Sequence, residues 1–180
     1  MTTYIALLRG VNVGGHKKLA MADLRALLSR MGFEDPHSLL QSGNLAFRGK
    51  QQSIGKLEQS LESEIRKRLS VETMVFIRTV KELQMVISRN PFPGEAKSDP
   101  SHLAVMFFRG APAPADVKAL QKSHAGPEAL RSEGREAYVT YPDGFAKTRL
   151  TLPVIERALN TKGTGRNWNT VMKLAAAGAA

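Results

Sequence analysis

Apolar positions along this chain fall into two kinds of spacing, and the alternation between them outlines the elements. Tyr4–Arg9 is a β-prone run that ends in glycine. Leu24, Leu27, Leu28 and Met31 then recur at helical spacing within Met21–Met31, and Gly32 suits the C-terminal cap. Two short apolar stretches follow, 38–41 and 45–48, parted by Ser42-Gly43-Asn44, a hairpin signal. Ile54, Leu57, Leu61, Ile65 and Leu69 mark a second helix, and 73–78 reads as a strand of β-branched and aromatic residues. Thr79 with Glu82 makes a capping box ahead of a third helix whose buried stripe is Leu83, Val86 and Ile87, and Asn90-Pro91 stops it.

This is the βαββαβ order of ferredoxin-like units, with one more helix. Residues 90–101, rich in Pro, Gly and polar side chains, read as a linker. The pattern then begins again with a strand at 102–109, a helix at 114–122, a hairpin around Gly134, a helix at 152–159 and a last helix from Trp168 to Ala177. The first strand ends in Arg9-Gly10 and the strand opening the second half in Arg109-Gly110, a faint echo of duplication. The expected fold is therefore α+β, with two subdomains of ferredoxin-like (βαββαβ) character and helices packed on antiparallel-rich sheets. The expected boundaries are 1–90, a linker at 91–101, and 102–180.

Composition narrows the functional classes. Hydrophobic residues make up 42% of the 180, enough for a real core. The absence of cysteine removes disulfides, thiolate metal sites and thiol nucleophiles, and it fits a reducing compartment. No signal-peptide pattern opens the chain, and no apolar run approaches the roughly 20 residues that span a bilayer. A soluble cytoplasmic protein without membrane contact is expected. The net charge of +10 is uneven: residues 1–94 carry +6, 95–144 carry −1 and 145–180 carry +5. Such an excess is either a solvated surface or a footprint for an anion.

Three segments could carry chemistry. The strand-to-helix loop 10–18, GVNVGGHKK, combines three glycines with Lys17 and Lys18, as an amide nest for an anion would. Neither a Walker loop nor a dinucleotide fingerprint matches it, and no motif calls for a cofactor. Gln41-Ser42-Gly43-Asn44 could present a hydroxyl and two amides on a rim. Thr164–Val171 holds the only tryptophan among Arg166, Asn167 and Asn169; it reads as a loop in which Asn167 or Thr164 caps the final helix. His16, His37, His102 and His124 lack metal-ligand spacing. Glu58, Glu62 and Glu64 alternate with bases on one helix, as on a solvated face. The aromatic motif of RNA-binding sheets is missing from 105–108.

Three stretches resemble the bacterial family known as Domain of Unknown Function 1697: YIALLRGVNVGGHKKLAM at 4–21, LLQSGNLAF at 39–47 and TGRNWNTVMKL at 164–174. The resemblance implies two α+β subdomains and carries no activity or catalytic residue with it. The chain departs from the family pattern at 145–149, where a Ser-Lys-Leu-like stretch would follow the Asp-Gly turn.

The reading that best joins these features is a binding module for an anionic ligand: a nucleotide, a nucleic-acid backbone or a phosphorylated metabolite. Arg9, Asn12, Lys17 and Lys18 would hold one side, Ser42 and Asn44 a rim, and Arg166, Asn167 and Asn169 would come from the tail. Arg166 would grip the anion bidentately. An enzyme acting on a small phosphorylated or carboxylated metabolite is the alternative, though no base is identifiable. A homodimer built on the Trp168 helix is the third reading.

Overall fold

The computed structural model describes residues 1–12, 18–40 and 43–180. They form two units: residues 1–84 with 173–180, and residues 85–172.

The first unit runs β1 (Thr2–Leu8), α1 (Met21–Arg30), β2 (Glu34–Ser38), β3 (Asn44–Gly49), α2 (Ile54–Leu69), β4 (Val75–Thr79) and into α3 (Val80–Ser88). Its sheet is antiparallel in the order β2-β3-β1-β4. Because side chains alternate along a strand, β1 sends Tyr4, Ala6 and Leu8 to one face. There they join Leu45, Phe47, Val75 and Ile77 under Leu24, Leu28, Leu57, Leu61 and Ile65 of α1 and α2. Ile5 and Leu7 point to the other face and are equally buried. Gly178, in α7 (Trp168–Ala179), stands against that face; a Cβ on it would lie 2.9 Å from Ile5 Cδ1 and 2.7 Å from Val80 Cγ2.

After α4 (Pro93–Ser98) and a 3-10 turn at Pro100–His102, the second unit repeats the scheme. It runs β5 (Leu103–Phe108), α5 (Pro114–Ser123), β6 (Ala129–Glu133), β7 (Glu136–Thr140), α6 (Leu152–Leu159), β8 (Gly163–Asn167) and into α7. Its antiparallel sheet has the order β6-β7-β5-β8, the same topology as the first. Ala104, Met106 and Phe108 join Val117, Leu120, Ile155 and Leu159 in its core. On the opposite face the Tyr138 hydroxyl donates to the Val86 carbonyl of α3 at 2.6 Å.

The repeat extends to single hydrogen bonds. Arg9 and Arg109 each give their backbone N–H, at 3.0 Å, to the residue just ahead of the next sheet partner, Met74 and Lys162. Glu58 of α2 accepts from Ile77 N–H at 2.8 Å, and Glu156 of α6 from Gly163 N–H at 2.9 Å. Arg78 Nη1 donates to the Ile77 carbonyl at 2.9 Å, and Arg166 Nη1 to the Gly165 carbonyl at 2.8 Å.

Several local expectations change. The second strand lies at 34–38 rather than 38–41 and admits Pro36, which an edge strand tolerates. Residues 90–101, expected as a linker, hold α4 and the 3-10 turn, each opened by a proline. Thr164–Asn167 is not a loop: it is β8, recruited by β5, whose six residues are all buried. Glu58 and Glu62 do not lie on a solvated face, because their carboxylates hold the amides of Ile77 and Val75. Glu64 alone of the three behaves as expected, pairing with Arg68 at 2.6 Å.

Candidate functional site

β1 ends one residue before Arg9, and Gly10 turns the chain with φ of +62°. The Arg9 carbonyl accepts from Thr73 Oγ1 at 3.0 Å, fixing the residue against the approach to β4. Its half-buried side chain lines a groove of ≈ 600 Å³ together with Gln59, Glu62, Ser63, Arg66 and Met74. Charges of both signs meet there, and the Glu62 carboxylate already accepts from Val75 N–H at 2.8 Å.

Asn12, exposed and at φ of +57°, makes a two-bond clasp. Its Nδ2 donates to the Leu19 carbonyl and its Oδ1 accepts from Leu19 N–H, both at 2.8 Å. Asparagine accepts the left-handed region more readily than most residues, and its amide matches a backbone donor and acceptor at once. Lys18, next to the clasp, is exposed. Lys17 and Ser42, with 13–16 and Gln41, lie outside the described residues. Asn44 is buried at the start of β3, opposite Leu7, and its carbonyl accepts from Leu39 N–H at 2.9 Å. Leu8 N–H reaches the Gly43 carbonyl at 2.8 Å. Arg9, Asn12, Lys18 and Asn44 are thus brought to one end of the first sheet.

Arg166, Asn167 and Asn169 belong to the second unit. Arg166 Nη1 donates to Thr164 Oγ1 at 2.9 Å as well as to the Gly165 carbonyl, and burial pulls its pKa down to about 10, still far above neutrality. Asn167 Oδ1 accepts from Thr170 N–H at 2.9 Å, the capping bond expected of it. Asn169 is exposed on the first turn of α7, and Trp168 is buried.

One cluster escaped sequence reasoning. His124 Nε2 lies 2.8 Å from Glu128 Oε2, and Thr148 Oγ1 donates to the other carboxylate oxygen. The Thr148 bond first, and His124 with it, hold the Glu128 carboxyl below its ordinary range against the opposing effect of burial. His124 and Glu128 are four residues apart, a visible hint; Thr148 arrives from a distant loop and leaves no local signal. Among the described residues no three His, Asp or Glu side chains gather as a metal set, and no helix is long and apolar enough to cross a membrane.

The molecule is thus a two-unit α+β protein with Arg9, Lys18 and the amides of Asn12 and Asn44 at one sheet end. The chain belongs to the family described as Protein of unknown function (DUF1697), whose model matches residues 1–138. The stretch 164–174 lies beyond that match. A conserved bacterial protein of Streptococcus pneumoniae, SP0830, is similar in structure, with a TM-score of 0.74, 24% identity and 97% of each chain covered. That likeness concerns the fold. No curated protein matches the chain.

Proposed function

We propose that this protein is a binding module for an anionic ligand, with the ligand seated at the end of the first sheet where β1 passes into Arg9. The phosphate of a nucleotide, of a nucleic-acid backbone or of a small metabolite has the shared chemistry. The observation that carries the reading is the Asn12–Leu19 clasp, which ties the ends of a segment whose sequence holds Gly14, Gly15, Lys17 and Lys18. Tying the two ends of a segment together in advance lowers the entropy lost on binding. In this reading Asn12 holds the loop, Arg9, Lys17 and Lys18 supply charge, and Ser42 and Asn44 form the neighbouring rim. The lack of cysteine is in keeping with a cytoplasmic setting.

The test is fluorescence anisotropy of labelled single- and double-stranded oligonucleotides over a salt series, beside calorimetric titration with pyrophosphate. Binding that weakens linearly in log-log terms with salt, and that is lost in the Arg9→Ala, Lys18→Ala double variant, supports the proposal. Absence of binding to all three probes at low salt refutes it.

A further inference from the structure

Each sheet has two edge strands, and three of the four edges are obstructed. β2 carries Pro36 and a register break between Glu34 and His37. Along β4 the amides of Val75, Ile77 and Thr79 donate to Glu62, Glu58 and Glu82 at 2.8, 2.8 and 2.7 Å. On β8 the Gly163 amide is held by Glu156 and the Gly165 carbonyl by Arg166.

β6 differs. Its partner register closes with Glu133 opposite Glu136 across a two-residue turn. Ladder bonds therefore engage Ala129, Arg131 and Glu133, while the backbone groups of Leu130 and Ser132 face away from β7. The Leu130 carbonyl bears this out by accepting from Gln121 Nε2 of α5 at 2.7 Å. The outward amides of Leu130 and Ser132, and the Ser132 carbonyl, have no partner among the described residues.

This edge, open except at the Leu130 carbonyl, is one wall of a groove of ≈ 680 Å³ whose other wall is α5, with Lys118, Gln121 and His124 on the helix side and Leu130, Arg131 and Ser132 on the strand side. Neither Lys118 nor Arg131 has a carboxylate partner among the described residues, and Arg131 rests over the Phe92 ring, 5.7 Å from its centroid. The carboxylate that does line the groove, Glu128, is held by His124 and Thr148. A strand edge with unused donors, a helix alongside and a cation on each face of the edge strand, Lys118 on the α5 side and Arg131 on the other, meet the requirements for strand addition.

We propose that the β6–α5 groove binds an extended peptide segment with acidic side chains, added to the sheet as a further strand. The Leu130 amide and the Ser132 amide and carbonyl would supply the main-chain bonds, and Lys118 and Arg131 the preference for acid. This site lies within the second unit and does not depend on the anion reading of the first.

The experiment is selection from a displayed library of random ten-residue peptides on the full-length protein, followed by anisotropy of the selected peptides. Ser132→Pro removes an outward amide without taking a ladder donor, so the fold should persist, which circular dichroism checks. Enrichment of acidic sequences, with affinity lowered by about tenfold or more in Ser132→Pro and in Lys118→Glu, supports strand addition. No enriched binder, binders without acidic bias, or binders indifferent to Ser132→Pro would overturn it. A dimer in sedimentation equilibrium that becomes monomeric in Ser132→Pro would also overturn it, because the edge would then belong to a second copy.

Discussion

Replacing Glu58 with alanine should destabilise the first unit far more than its place in a charged helix suggests. The side chain is 1% exposed, and its carboxylate accepts the Ile77 amide at 2.8 Å. Ile77 is itself fully buried, so the amide finds no water when the acceptor is removed. A hydrogen bond to a charged acceptor contributes about 1.5–3 kcal/mol, and stranding the donor adds its desolvation. Relief of the buried carboxylate's own desolvation offsets part of this, which leaves a net loss of about 2 kcal/mol. Urea unfolding followed by circular dichroism measures it. Glu64→Ala, six residues along the same helix, is the control and should leave the midpoint in place, because Glu64 pairs with Arg68 in solvent. Glu58→Gln, which keeps a neutral acceptor, should fall between the two. A loss below about 0.5 kcal/mol for Glu58→Ala, or one equal to the control, would refute the assignment of this carboxylate to the sheet edge.

Two further outcomes test the second unit. Gly163→Ala should cost about 1–3 kcal/mol, because the new Cβ would lie 2.8 Å from the Phe107 carbonyl and 2.7 Å from the Phe108 ring; an unchanged thermal midpoint would show that β8 can shift away from β5. The Glu128 carboxyl is held below its ordinary value of 4.5, chiefly by Thr148. A carboxylate whose folded pKa is depressed stabilises the fold above its unfolded value, and that contribution disappears as pH falls through the folded value. The difference in melting temperature between the protein and Thr148→Val should therefore be full at neutral pH and shrink on acidification below 4.5, and a difference that does not change with pH would contradict the role given to Thr148.

The elements with a strong internal period are legible in the sequence. Leu24, Leu27 and Leu28 announce α1, and Leu57, Leu61 and Ile65 announce α2, because a helix that buries one stripe must repeat its apolar residues near every third or fourth position. Thr79 and Glu82 give the start of α3, since a capping box is a contact between near neighbours; Thr79 N–H does reach Glu82 at 2.7 Å and Glu82 N–H reaches Thr79 Oγ1 at 3.2 Å. Asn167 as the cap of α7 is local in the same sense.

What tertiary structure alone decides is long-range. Gly163–Asn167, with two glycines and an asparagine beside Thr164, has little strand propensity of its own, and it becomes β8 because β5 lies beside it with bonds to offer. Glu58 looks like its neighbour Glu64 in the sequence, and only the arrival of β4 from 19 residues away makes it a buried acceptor. The candidate site divides along the same line. The glycines and lysines of 10–18 are visible as composition, whereas the clasp between Asn12 and Leu19, and the meeting of Glu128 with Thr148, depend on backbone and side chains that folding alone brings within hydrogen-bond distance. Local pattern thus specifies helices, caps and turns, because their energies come from residues a few positions apart. The sheet edges and the polar clusters come from pairings between distant segments, whose energies no short window of sequence contains.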